Sequence, residues 1–152
     1  MSDADRTDVR VRPMRDGDAD VVAELAGQLG YPSDADAIRE RIRAIGGSAL
    51  LLVAVNAADE PLGFIQANKI CIIEIGTRVE ILGLVVSSHA RRAGVGRRLI
   101  AEAERWAGEI GADAVVVRSN TQRIEAHDFY PAMGYKLIKT QAAYLKKIRA
   151  EA

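Results

Sequence analysis

Leu84-Val85-Val86-Ser87-Ser88-His89-Ala90-Arg91-Arg92-Ala93-Gly94-Val95-Gly96-Arg97-Arg98-Leu99 reads as an apolar strand, a polar turn, a glycine-containing loop and the start of a helix. Beyond the loop, Val95, Leu99, Ala103, Trp106 and Ile110 recur at steps of three and four, which puts them on one helical face. Gly111 stands where a helix stop is expected. Gly94 and Gly96 have no Cβ, so their backbone can come close to a ligand. The free amides of a helix start, backed by the helix dipole, attract an anion. Arg91, Arg92, Arg97 and Arg98 crowd the same opening. Together these features suit a pyrophosphate. The third glycine of a dinucleotide fingerprint is missing, and so is the Lys-Ser/Thr of a triphosphate loop.

Arg91-x-x-Gly94-x-Gly96 after a Leu-Val-Val strand resembles the acetyl-coenzyme A signature of the GNAT N-acetyltransferase superfamily. A second motif follows in the expected order. Ser119-Asn120-Thr121-Gln122-Arg123 comes after an apolar run, and Phe129-Tyr130-Pro131-Ala132-Met133-Gly134-Tyr135 closes the next helix. This is similar to the family pattern of an Asn after a strand and a helix ending in Phe-Tyr-x-x-x-Gly-Tyr/Phe. The likeness is strong from Arg78 to Tyr135 and weak before Ala49.

The resemblance implies an α/β fold, a central mixed β-sheet flanked by helices, in one domain spanning 1–152 with residues 1–7 as a flexible polar N-terminus. It also implies transfer of an acetyl group from acetyl-CoA to a primary amine of a small molecule or protein, by direct attack in a ternary complex. The alternative is a non-catalytic acyl-CoA-binding sensor. By the same resemblance, Arg91, Arg92, Ala93, Gly94, Val95, Gly96 and Arg97 hold the pyrophosphate. Leu84, Val85 and Val86 line the pantetheine, with backbone amides near Val85 and Val86 as the oxyanion donors. Gly83 would mark a bulge that frees them. Asn120 bonds the pantetheine amide, Phe129 lines its channel, and Arg123 either contacts phosphate or organises the Asn loop. Tyr130 matches the tyrosine near the thioester sulfur, where a phenol can donate to the departing thiolate. Its other role is packing between Phe129 and Tyr135. Pro131 departs from the usual polar residue and shifts the helix ending.

A lysine-like amine has a solution pKa near 10.4, so presenting it neutral at pH 7 costs roughly 4–5 kcal/mol. A proton acceptor is therefore worth seeking. Glu80 stands alone among apolar residues on the strand before the loop and is the favoured catalytic carboxylate. Its competing role is a solvated strand position paired with Arg78 or Lys69. Glu74 or a water chain are the other bases to weigh. His127 and His89 form no convincing triad with Cys71, and two histidines without a Cys/His cluster give no metal site.

Composition sets the remaining bounds. Lys+Arg and Asp+Glu are both 21, so the net charge of zero suggests no nucleic-acid partner. The lone Cys71 cannot form an internal disulfide, which agrees with a reducing, cytoplasmic setting, and its apolar surroundings suggest a packed strand residue. No apolar run approaches the ~20 residues that span a bilayer, so no membrane partner is expected. Pairing of two copies through the final strands fits the family. The amine, the acyl-chain preference and the oligomeric state stay open.

Along the chain, Val9 to Arg12 alternates as a strand ending at Pro13. Asp16 and Asp18 are candidate caps for a helix burying Val22, Leu25 and Leu29. Ser33-Asp34-Ala35-Asp36 is an acidic variant of a capping box, starting a second helix with Ile38, Ile42 and Ile45 inward. Tyr31, Asp34 and Asp36 are candidates for contacting a cationic amine, with capping and solvation as the plainer roles. Strands are expected at 49–55, 62–67, 70–75, 78–86 and 114–118, the last parallel to its neighbour. A helix at 123–133 and closing strands at 136–139 and 143–147 complete the pattern.

Overall fold

A computed structural model describes residues 8–91, 93–118 and 124–149. The roles expected of Arg92, Asn120 and Arg123, and the flexible start expected at residues 1–7, fall on residues outside these. The chain divides into two compact units, Met1–Arg118 and Ser119–Ala152.

The first unit is built on a five-stranded sheet in the order β1-β2-β3-β4-β5. The strands are β1 (Arg10–Pro13), β2 (Ala49–Val55), β3 (Pro61–Ile72), β4 (Gly76–Val86) and β5 (Val115–Val117). Helices α1 (Ala19–Gln28) and α2 (Ala35–Ile45) lie between β1 and β2, and α3 (Val95–Glu109) lies between β4 and β5. The first four strands pair antiparallel. β5 returns parallel to β4 after the α3 crossover, as the sequence predicts.

Strand alternation sorts the side chains into two layers. Val53, Val55 and Phe64 pack with Ala19, Val22 and Ile38 of the first two helices. On the other face lies α3, whose Val95, Leu99, Ile100, Ala103 and Ala107 are buried. The expected stripe is therefore shifted at its end, where Ala107 is inward and Trp106 only half-buried. Burying each such Val or Leu stabilises the fold by about 1.5–3 kcal/mol.

Two glycines matter here for different reasons. Gly94 caps α3 in the left-handed conformation, at φ 78°, which an L side chain adopts only with strain. At Gly63 the limit is space. A Cβ there would stand 2.7 Å from the Val85 carbonyl oxygen and 3.2 Å from Val95 Cγ1. Gly63→Ala should therefore push β3 from β4 or lift α3, lowering stability by about 1–3 kcal/mol. Chemical denaturation would show this as a lower midpoint, and an unchanged midpoint would mean that the strands give way freely.

Several expectations are corrected. The segments 62–67 and 70–75 are not separate strands, because β3 runs unbroken from Pro61 to Ile72. Asn68 and Lys69 contain no chain breaker and pair with Glu80 and Val79, so the ladder passes through them. Cys71 is exposed rather than packed, near the far end of that long hairpin. Asp18 sits at the N-cap of α1 but makes no cap bond, its carboxylate being turned to Arg12. Asp16 pairs with Arg43. The cap of α2 is Asp34, which accepts from the Ala37 amide at 2.7 Å, one residue after the Ser33 where the capping box would put it. The bulge expected at Gly83 is present, with Leu82 as the extra residue between the Ala67–Ile81 and Gln66–Gly83 pairs.

In the second unit, α4 (Ile124–Ala132) carries Pro131 in its last turn and ends before Gly134, at φ 91°. The closing strands expected at 136–139 and 143–147 are not formed. Their alternation is strand-like, but a strand exists only where a neighbouring ladder takes up its amides and carbonyls. Leu137, Tyr144 and Leu145 are exposed there.

Candidate active site

The loop between β4 and α3 is tied down before it reaches the glycines. Ser87 is buried, and its amide donates to the Leu62 carbonyl at 2.7 Å. The Ala90 amide donates to Ser87 at 2.9 Å, and the Ser88 amide to Gln28 Oε1 at 3.3 Å. Gly94 then opens α3 with no side-chain cap, and the first turn of the helix holds no acidic residue. Its first amides therefore have no acceptor within the helix and carry the partial positive charge of the helix start. That donor set fits a pyrophosphate. Arg91 and Arg97 are exposed around it. Arg98 leaves the group, because its guanidinium donates to the Val9 carbonyl.

Beside the loop, the sheet opens. Among the described residues, β5 pairs with β4 through Val79–Val115, Glu80–Val116 and Ile81–Val117, and Leu82 to Val86 continue without a partner on that side. The amide of Ser87 points to β3, and alternation turns the amide of Val85 the same way. The amides of Leu84 and Val86 thus face the unpaired edge. Of the two expected oxyanion positions, Val86 has this orientation and Val85 does not. Leu84 joins it.

Glu80 lies at the last stretch where β4 and β5 are joined. It is buried and accepts from Arg78 Nη2 at 2.8 Å and from Arg118 Nη2 at 3.2 Å. Burial pushes its pKa up, but the two hydrogen bonds and the guanidinium charges outweigh that and hold the carboxyl below the usual carboxylate range. It pairs with Arg78 as one of the two expectations had it, yet in a buried place rather than a solvated one. Arg78 Nε is buried with no hydrogen-bond partner, which leaves a desolvated donor at a cost of about 1–3 kcal/mol. Arg78 was named from the sequence, since it stands two residues from Glu80 and so on the same strand face. Arg118 needs the parallel register, which sets Val116 against Glu80. Glu74 is exposed near the turn between β3 and β4.

A second charged cluster was not apparent from the sequence. Arg12 meets Asp18 through two hydrogen bonds, at 2.8 and 2.9 Å, and also reaches Asp59. Arg10 and Arg15 converge on Asp59 too, a non-glycine residue at φ 62°. A cavity of about 620 Å³ runs from this cluster past Gln28 to Ser87 and His89 at the base of the loop. Of the residues considered for a cationic amine, Asp34 is occupied as a cap, Asp36 pairs with Arg39, and Tyr31 is exposed.

In the second unit, Tyr130 is half-buried between Phe129 and Tyr135, with ring centroids at 5.2 and 6.1 Å in edge-to-face contact. The Tyr135 amide returns to the Tyr130 carbonyl at 3.1 Å, which holds the aromatic trio together. His127 is exposed. Among the described residues, no group of three or more His, Cys, Asp or Glu side chains could hold a metal ion, and no helix is long and apolar enough to cross a membrane.

Comparison with known proteins bears on this arrangement. The sequence model described as the Acetyltransferase (GNAT) family matches residues 20–135. No curated protein matches the chain. Among solved structures, a transcriptional regulator from Bacillus halodurans C-125 aligns at TM-score 0.82 and 24% identity, covering 91% of this chain and 99% of its own. The aminoglycoside 6'-N-acetyltransferase AAC(6')-Ih from Acinetobacter baumannii aligns at 0.79 and 17%, covering 93% and 99%. Glucosamine-6-phosphate N-acetyltransferase from Arabidopsis thaliana aligns at 0.75 and 18%, covering 91% and 99%. At these identities the likeness establishes the fold.

Proposed function

This chain belongs to the GNAT acetyltransferase family, and we propose that it transfers the acetyl group of acetyl-CoA directly to a primary amine of a small molecule or protein, in a ternary complex. The observation that carries this is the pairing of an uncapped α3 start with a β4 edge left open from Leu82 to Val86. When bound, acetyl-CoA supplies the thioester carbon that the amine attacks, the C–N bond forming as the C–S bond breaks.

Arg91, Ala93, Gly94, Val95, Gly96 and Arg97 hold the pyrophosphate, with Arg92 completing the loop. Leu84, Val85 and Val86 run beside the pantetheine. The Leu84 and Val86 amides are placed to stabilise negative charge on the carbonyl oxygen, and fixed backbone donors need no reorganisation for that. Glu80 receives the acceptor amine and helps remove its proton, directly or through water. Tyr130 protonates the leaving thiolate, and Asn120, Arg123 and Phe129 serve the pantetheine and phosphate. The single cysteine supports a reducing, cytoplasmic setting.

Thermal unfolding with and without acetyl-CoA tests the coenzyme site. At 100-fold over Kd, the ligand should stabilise the fold by about 2.7 kcal/mol, a rise in Tm of roughly 5–10 °C. No rise at millimolar ligand would overturn the assignment. Release of CoA thiol across a panel of primary amines then tests transfer. Binding without release from any amine would leave the sensor as the function.

A further inference from the structure

Two guanidiniums converge on one oxygen of Glu80. Arg78 Nη2 and Arg118 Nη2 both reach Oε1, whereas Oε2 receives no hydrogen bond among the described residues. The Arg78 and Glu80 side chains are 9% and 8% exposed, and that of Arg118 is 53% exposed. β3 places Asn68 opposite Glu80, and the Asn68 side-chain oxygen accepts from Gln66. The charged groups acting on Glu80 are thus Arg78 on its own strand and Arg118 just past β5, with uncharged Asn68 on β3. No charged side chain of α1 or α2 is bonded to it among the described residues.

We propose that Arg78 is a positioning residue: it commits one oxygen of Glu80 and so makes the other oxygen the docking point for an acceptor that arrives as a cationic ammonium. This rests on the acetyl-transfer function and deepens the part Glu80 plays in it. The docked ammonium passes its proton to the free oxygen of Glu80, directly or through a water, and Glu80 hands it on to solvent as it returns to the carboxylate. The neutral nitrogen then forms the C–N bond. The acceptor class is accordingly an amine that is protonated at neutral pH.

The test has an arm that does not depend on turnover. Carboxyl 13C NMR, with Glu80 assigned through Glu80→Gln, follows the ionisation of Glu80 in wild type, Arg78→Met and Arg78→Lys. The midpoint should rise by about one pH unit or more in Arg78→Met, since an opposite charge is removed while burial remains. It should stay near the wild-type value in Arg78→Lys. In steady-state kinetics, Arg78→Met should raise KM about tenfold for n-butylamine, an alkylamine that is cationic at pH 7.5, with kcat little changed. KM for hydroxylamine, which is neutral at pH 7.5, should hardly move.

A folded Arg78→Met protein with an unmoved Glu80 midpoint would overturn the proposal, as would equal KM changes for the two probes. If Arg78→Met does not fold, Arg118→Gln removes the half-exposed partner of the same oxygen. A smaller rise is then expected, and no rise overturns the proposal. Failure of wild type to acetylate any amine would sink the transferase function on its own, while the titration still decides what Arg78 does to Glu80.

Discussion

Tyr130→Phe is expected to lower kcat for acetyl transfer by about 100-fold at neutral pH and to leave the acetyl-CoA-induced rise in Tm intact. Proton transfer by a positioned side chain contributes roughly 10²–10⁴ in rate, and the phenol is the group proposed to protonate the thiolate. Phenylalanine keeps the ring, so the edge-to-face contacts with Phe129 and Tyr135 survive. A comparison of kcat with the unfolding midpoint separates a chemical loss from a structural one. Turnover unchanged across the pH range would remove Tyr130 from the reaction and leave it as part of an aromatic cluster.

The largest effect on stability is expected at Asp18→Ala. Asp18 is 4% exposed and holds Arg12, itself only 12% exposed in its side chain, by two hydrogen bonds, and it also accepts from the Arg15 amide. Removing one partner of a buried ion pair costs about 3–5 kcal/mol, because the other charge is left without compensation. Here the lower end applies, since Asp59 still reaches Arg12. About 3 kcal/mol corresponds to a fall in Tm of roughly 6–12 °C. Asp59→Asn, at a more exposed site shared by three arginines, should lower the unfolding midpoint less than Asp18→Ala does.

The same pair predicts an acid response. Burial pushes the Asp18 pKa up, but the bonds from Arg12 and the Arg15 amide outweigh it and hold the carboxyl below its ordinary value. A carboxylate with a depressed folded pKa contributes stability that is full above its unfolded pKa, near 3.9, and is lost as pH falls through the folded value. Glu80 acts in the same sense. Stability should therefore decline below about pH 4, and the decline should be shallower in Asp18→Ala. Equal slopes for the two proteins, measured by urea unfolding between pH 5 and 2.5, would show that Asp18 is not a source of the acid sensitivity.

How far the sequence was legible varies with the range of the interaction involved. The α3 face, the α2 cap to within one residue and the left-handed Gly94 are set within one helical turn, and periodicity and residue type suffice for them. The parallel return of β5 follows from the α3 crossover. By contrast, the join between 62–67 and 70–75 depends on whether Asn68 and Lys69 find partners on β4, which no local pattern encodes. The closing strands failed for the complementary reason: alternation was present, but no paired ladder. Asp18 shows how a local rule is outcompeted, since an aspartate at a helix start normally caps, and a partly buried arginine six residues earlier took it instead.

By itself, then, the sequence determined the α/β class, the helix-start loop with its arginines, and membership of an acetyltransferase family through motifs contiguous in the chain. Only the tertiary structure decided which amides face the open edge of β4, that Arg98 turns away to Val9, and that Glu80 is shared by Arg78 and Arg118. The physical reason is one of range. Caps, turns and helical faces are settled between residues a few positions apart. Strand register and the meeting of charges 38 residues apart, as for Glu80 and Arg118, are settled only when the whole sheet has assembled.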